Sequence, residues 1–552
     1  MVNQSVSADD GEAAIPPAVW AVAVAAAVLP FLADLPIDYD RLAPVAVLPA
    51  LWLGRKYRPA DQGNPQARKV DRALFTTAAG VAILSAILGP HPVPSLVGTA
   101  SWAWILAGAF LARRLATHTR AVRLILAGIT LGAMLGCLAV WAQWVEGTPV
   151  NAFPHYGHGR LFGLHMMVGT MTALAWVVLT PAQSVARLLG YVVAVINCGG
   201  MLWSGGRAPL VGVAAGLALW FWRSEPAERR VLIRGVPLVF LGGTLLSCLR
   251  WSPEPYLGWW NALARTNAAT SVDALSSTRL SFWQVTWHEI RQAPWMGHGA
   301  DSYRFIVPKQ DGNQPHNWVL QFLLDLGVLG AVPLGWLLLR QAHRGLAGNP
   351  ADSDAGVSAA RRAIAGGLVA CLAAGLLDGV FYHAVLLLPA ALLAGLAGST
   401  CAELTGNAGR TFRPGWWCLV ASGALLGLHS YLVACMAYPP APAGPDAPAA
   451  RLLRVFPSTT FALEGWLNTW RATQPDAVLE WSQWAQHHSD NPAPFHVFAA
   501  VLFSNRRDFA SATREVESAM RTAHWSSLPK LRILLAATRA AEAQARSRLP
   551  GL

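Results

Sequence analysis

The feature that most constrains this chain is a series of long stretches without a charged side chain, such as Trp20–Leu32, Leu124–Val140 and Val385–Ala397. Several extend to about 18–22 residues, enough for a helix to cross a hydrocarbon layer about 30 Å thick. No water is present at that depth to satisfy a free amide, so such stretches must be helical or close into a barrel. Composition points the same way. The chain is 54% hydrophobic and 13% charged, where soluble domains carry about 25% charged residues. Its 25 tryptophans suit a protein with two water–lipid interfaces to line. The runs predict an all-α polytopic membrane protein with about 13 transmembrane helices. They lie near 17–34, 41–53, 73–90, 95–112, 121–144, 164–180, 184–203, 208–222, 232–249, 317–339, 361–377, 384–400 and 415–437. The second is short enough to be tilted or partly interfacial.

A net charge of +12 would suggest nucleic acid in a soluble protein. Here the basic residues cluster in alternate short loops, so no nucleic-acid partner is expected. The segments GRKYRPADQGNPQARKVDR, ARRLATHTRAVR, WRSEPAERRVLIR and RQAHRGLAGNPADSDAGVSAARR are basic, whereas DLPIDYD, LGPHPVPS, SGGRAP and LDGVFYH are poorer in basic residues. The positive-inside rule then places the basic loops and the N-terminus in the cytoplasm and the C-terminal segment outside. That arrangement implies a multi-pass membrane protein. The N-terminal segment lacks a basic n-region, so Ala18–Leu35 is expected to stay as the first span. Cys137, Cys198, Cys248, Cys371, Cys401, Cys418 and Cys435 fall almost entirely in apolar runs without CxxC spacing, which argues for neither a disulfide framework nor a zinc site.

The expected organisation is a cytoplasmic N-terminus over 1–15 and a transmembrane unit over 16–437, with a long outer loop at 250–315. A Pro/Ala linker over 438–450 leads to an α-helical outer domain over 451–552. A shorter outer loop covers Glu146–Gly163. Within the long loop, STRLSFWQVTWHEIRQAPWMGHGADSYRFIV reads as an amphipathic helix followed by a Pro/Gly turn. Loops of this size are usually functional. The stretch FHVFAAVLFSNRRDFASATREVESAMRTA has the small/large alternation of a tetratricopeptide-like hairpin, but three clear repeats do not appear. A packing or partner-docking module is the better reading of this tail.

Four polar groups gather at span ends on the outer side. Arg207, in Ser204-Gly205-Gly206-Arg207-Ala208-Pro209, would by itself be a snorkelling arginine. Arg279 could equally lie on the solvated face of a loop helix. His316, followed by Asn317, stands where the long loop re-enters the membrane, and an imidazole there can take a proton near physiological pH. Asp378, with Tyr382 and His383, follows at the next outer connection. Asp325 lies deeper, in the tenth span, and calls for a buried donor or a polar cavity. Two arginines and a histidine on one face suggest an anionic, lipid-linked substrate, because guanidinium pairs bidentately with phosphate. No DxD-type carboxylate pair appears in an outer loop. No metal or other cofactor is therefore expected, and the arginines would supply the positive charge.

Arg279-x-x-x-Trp283, Pro294-Trp295-Met296-Gly297-His298-Gly299, Pro315-His316-Asn317 and Leu326-Gly327-Val328-Leu329-Gly330 together resemble the O-antigen ligase and polymerase superfamily. SGGRAPLVG looks like that family's earlier arginine motif. RLFG at Arg160–Gly163 and LLDGVFYH are similar in placement, and the likeness covers about residues 120–400. The resemblance implies a GT-C-like, metal-independent, inverting glycosyltransferase. Its donor would be an undecaprenyl-pyrophosphate-linked glycan in the bilayer. Its acceptor would be lipid A–core for a ligase, a second lipid-linked glycan for a polymerase, or a protein side chain for an O-oligosaccharyltransferase. His316 would be the general base and Arg207 and Arg279 would hold the diphosphate. Asn317, Arg160 and Asp378 would orient groups or touch substrate. The competing class, a lipid-linked glycan flippase or other transporter, predicts internal repeats and midplane charges, and neither is evident.

Overall fold

The computed structural model describes residues 15–33, 43–54, 58–59, 65–116, 119–146, 153, 156, 158–249, 257–271, 276, 279–306, 314–347, 355–399, 404–405, 413–437, 460–489, 491–523 and 527–547. The linker at 438–450 and the two ends of the chain lie outside them. Among the described residues the protein is all-helical apart from one two-residue antiparallel pairing, Arg58–Pro59 with Leu404–Thr405. Each of the thirteen predicted spans falls on a helix. They are α1 Pro17–Ala33, α2 Leu48–Gly54, α3 Pro65–Leu88, α4 Pro92–Leu115, α5 Thr119–Val145, α6 Gly159–Leu179, α7 Val185–Trp203, α8 Arg207–Arg223 and α9 Pro226–Cys248. After two loop helices, α10 Trp259–Asn267 and α11 Arg279–Gln292, come α12 Trp318–Ala347, α13 Ala355–Gly375, α14 Ala384–Ala397 and α15 Arg413–Ala437. Seven of these are long and apolar enough to cross a membrane by themselves, and α1, α2, α14 and α15 contain shorter apolar stretches. The short second span is a 3-10 turn over Ala43–Val47 running into the seven-residue α2.

Packing follows hydropathy. α6 is the central span, 83% of its apolar window buried, whereas α9 is only 28% buried. Leu238, Leu241 and Leu245 of α9 are exposed at helical spacing, the stripe a lipid-facing helix presents. On one face of the bundle, Asp71 of α3 gathers Arg113 of α4 with Arg340 and Arg344 of α12. On the same face Arg362 of α13 pairs with Glu225 and Glu228 at the start of α9. The connections preceding α4, α6, α8 and α14, together with α10 and α11, lie on the opposite face. α8 and α13 approach backbone to backbone. A Cβ on Gly212 or Gly216 would stand 2.7 Å from the Ala370 carbonyl oxygen or 2.5 Å from that of Gly366. This contact brings Arg207, at the start of α8, beside the turn that follows α13.

α12 departs from the uninterrupted span expected over 317–339. Gly327 has φ 59 and ψ −173, and the chain reverses there. Trp318 reaches Gly335, its ring 3.4 Å from where a Cβ would sit; a straight helix would hold those residues about 25 Å apart. The reversal frees carbonyls and amides, and the turn after α11 satisfies them. His298 N–H donates to Leu324 O at 2.8 Å and Gly299 N–H to Asp325 O at 3.0 Å. Val328 N–H and Leu329 N–H donate to the Pro294 and Trp295 carbonyls at 2.8 and 3.1 Å. Buried non-helical backbone requires such internal pairing. Both partners need glycine. A Cβ on Gly327 would lie 2.3 Å from Trp295 backbone, and one on Gly297 2.5 Å from Gly327 N. Pro-x-x-Gly-x-Gly and Leu-Gly-x-x-Gly are thus two halves of one interlock. Ser85 of α3 adds a bond to Asp325 O, and Ser302 meets the Asp325 carboxylate at 3.1 Å, giving that intraspan acid its donor.

After the membrane unit come α16 Thr460–Trp470, α17 Pro475–His488, α18 Ala493–Asn505, α19 Phe509–Thr522 and α20 Leu528–Ser547. α18 and α19 form the hairpin expected from the small/large alternation. Trp466, Trp470 and Trp481 are buried in the core of this tail.

Candidate active site

The short leg of α12 begins at the base of the reversal, about 12 Å from Gly327 at 1.5 Å per residue. His316 immediately precedes it. Its φ of 53 is uncommon for a residue with a Cβ and costs of order 1–3 kcal/mol, so neighbouring groups must fix it. Trp283 of α11 donates its indole N–H to the Pro315 carbonyl at 3.1 Å. Asn317 Oδ1 accepts from Val319 N and Leu320 N at 3.0 and 3.1 Å, capping the leg, and its Nδ2 donates to Leu376 O at 3.1 Å. Both ends of Asn317 are therefore committed to holding the turn. Phe282 lies against the imidazole, ring centroids 5.9 Å apart.

Asp378 ties the site together. Its Oδ1 accepts from His316 Nδ1 at 2.9 Å and from Gly379 N–H at 2.9 Å, and its Oδ2 pairs with Arg279 at 3.0 Å. The Asp378 side chain is 4% exposed, that of Arg279 11% and that of His316 12%. Burial opposes the Asp378 charge. The His316 hydrogen bond, with the charges of His316, Arg279 and Arg160, outweighs it and holds the carboxyl far below the ordinary carboxylate range. An ionised carboxylate only accepts, so the proton of a neutral His316 sits on Nδ1. Nε2 is left with its lone pair as a base. Arg279 also donates to Ser276 O at 3.2 Å. Its Nε–H is buried and has no partner among the described residues.

Arg207 and Arg160 complete the cluster. The Ser204–Arg207 turn is braced by α10: Arg265 donates to Gly205 O at 2.9 Å, and Arg207 to Thr266 Oγ1 at 3.4 Å. Arg160 follows the N-cap of α6, where His158 Nδ1 accepts the Arg160 backbone N–H at 3.0 Å. Burial lowers the proton affinity of the Arg279 guanidinium; Asp378 restores part of it, and the charges of Arg160 and Arg207 lower it again. Among the described residues, three guanidinium groups thus act on one another around the Asp378 carboxylate, an arrangement suited to an anion. His158 is depressed by burial and by Arg160, with Asp378 opposing and His316 adding.

Of the residues singled out in the sequence, Arg160, Arg207, Arg279, His316 and Asp378 converge here. Asn317 adjoins them as a cap, and His383 is held by Gln314 at 3.2 Å. The sequence reading missed His158 and Arg265. His158 was legible only as a helix N-cap, and Arg265 sits in a loop helix too short to announce itself.

The family model described as O-antigen ligase matches residues 192–335, and over that segment the resemblance seen in the motifs holds. The segment contains Arg207, Arg279, His316 and both halves of the glycine interlock. Asp378 and Arg160 lie outside it. No curated protein matches the chain.

Proposed function

We propose that this chain, which carries a segment of the O-antigen ligase family, transfers a glycan from undecaprenyl pyrophosphate to an acceptor hydroxyl at the periplasmic face of the bacterial inner membrane. The observation that carries the reading is the chain of contacts His316–Asp378–Arg279 beside the charges of Arg207 and Arg160. Arg279, Arg207 and Arg160 would meet the roughly two negative charges of a glycosyl diphosphate. The Arg279 Nε–H, without a partner among the described residues, and Arg207 would bind its oxygens. His316 Nε2 would take the acceptor hydroxyl proton as the oxygen attacks the anomeric carbon. The bond to the diphosphate breaks with its electron pair leaving on phosphate, and the anomeric centre inverts. Asp378 would stabilise the imidazolium so formed. Lipid A–core is the acceptor favoured by the ligase resemblance.

The test uses the full chain in nanodiscs with a lipid-linked glycan donor, offering lipid A–core, a second lipid-linked glycan and an acceptor protein in turn. Wild type is expected to transfer to one of them, and His316→Ala to lose transfer while remaining folded. Normal transfer by His316→Ala would remove the proposed base. Absence of transfer to every acceptor, with donor movement across proteoliposomes, would replace the reading by transport.

A further inference from the structure

α11 joins two places. It starts at Arg279 in the proposed transfer site and ends at Gln292, about 20 Å away at 1.5 Å per residue. At that far end lies a half-open cavity of about 220 Å³ whose lining includes His91, Glu289, Gln292, His298, Ser302 and Phe305. Its lining combines a flat aromatic platform with polar groups. The His91 ring stacks on Phe305, centroids 4.0 Å apart and planes 21° from parallel. Burial, with the charges of His488 and His298, holds the His91 imidazole down at about 4, so it is a neutral ring at physiological pH. His298 Nε2–H donates to the Glu289 carbonyl at 3.0 Å, so its ring is held at the cavity wall. No described residue pairs with the Glu289 carboxylate or the Gln292 amide. The geometry is fixed, because the cavity borders the interlock that joins residues 294–299 to α12.

We propose that this cavity is a saccharide subsite, taking sugar rings of the carrier-linked glycan distal to the ring that reacts at His316. A pyranose offers an apolar face to an aromatic ring and hydroxyls to a carboxylate and an amide, the pairing this lining provides. A cavity of about 220 Å³ with Glu289, Gln292 and Ser302 in its wall is small and polar for a lipid tail. The length of α11, about 20 Å from Arg279 to Gln292 at the cavity, suits a glycan of several rings running along it. The subsite rests on the glycan-transfer reading given above, and it would act through recognition of chain length while His316 acts on the bond.

The experiment compares donors bearing a monosaccharide and a full oligosaccharide on the same carrier. For Phe305→Ala and the near-isosteric Glu289→Gln, KM for the long donor is expected to rise about tenfold, the effect of losing about 1.4 kcal/mol of binding. Its kcat should stay within about twofold of wild type, and the monosaccharide donor should behave as with wild type. Equal KM changes for both donors, or none, would overturn the subsite. A second arm needs no turnover: free oligosaccharide released from the donor is titrated into His316→Ala protein. Binding that disappears with Phe305→Ala supports the cavity even if transfer itself fails, and binding that persists unchanged refutes it.

Discussion

Replacing Asp378 by asparagine tests how much of the proposed catalysis depends on a charge that never touches substrate. The amide would keep the size of the side chain and an oxygen near His316 Nδ1. It would remove the negative charge now 2.9 Å from that nitrogen and 3.0 Å from Arg279. When His316 accepts the acceptor's proton it becomes an imidazolium. Opposite charges with centres about 4 Å apart attract by about 4 kcal/mol at an effective dielectric constant near 20. Each 1.36 kcal/mol is a factor of ten in rate, so kcat should fall about a thousandfold, within the usual span of general-base contributions. The same change strands Arg279, and breaking a buried pair destabilises by about 3–5 kcal/mol. The rate must therefore be normalised to folded protein, by size-exclusion profile and thermal melting in nanodiscs. The assay is single-turnover transfer from lipid-linked donor at saturating acceptor. A folded Asp378→Asn protein that retains kcat within about threefold would refute the argument that His316 works as a base held by Asp378.

Three further outcomes follow from the same geometry. Asn317→Ala should cost about 1 kcal/mol of stability, the usual worth of a helix cap, and lower transfer less than about tenfold; a loss as complete as that of His316→Ala would mean that Asn317 meets substrate. Gly327→Ala places a Cβ 2.3 Å from Trp295 backbone at φ 59 and should destabilise by more than about 2 kcal/mol, so an unchanged melting temperature would contradict the interlock. His91, held near 4 in the fold, binds its proton more weakly folded than unfolded. Stability is then complete above about pH 6.5 and falls as pH drops from there toward 4. His91→Phe should flatten that slope, and melting at pH 7.5 and pH 5 reads the difference.

Much of this architecture was legible because hydropathy is a one-dimensional signal. Every predicted span falls on a helix, and His316 stands where a loop re-enters the bundle. The rest depends on contacts between distant parts of the chain. Asp378 looked like one more polar residue in a short connection, since its partners His316 and Arg279 lie 62 and 99 residues earlier. The reversal of α12 was hidden because Gly327 sits in an apolar run indistinguishable from a continuous span, and its remedy lies in a different segment. The glycine motifs read as family marks; their physical reason, two backbones at contact distance, appears only when both are placed.

The order of synthesis favours the glycine interlock. Residues 294–299 leave the ribosome before residues 324–329. The carbonyls and amides that bond the broken turn of α12 are therefore already available when that turn forms. The later segment meets its missing hydrogen bonds at once, across a closure of only about thirty residues. In the reverse order, the broken turn would wait with its backbone groups unpaired, at about 1–3 kcal/mol for each buried group. A circular permutant that moves the loop behind α12 would preserve every contact of the finished protein and still be expected to fold less efficiently.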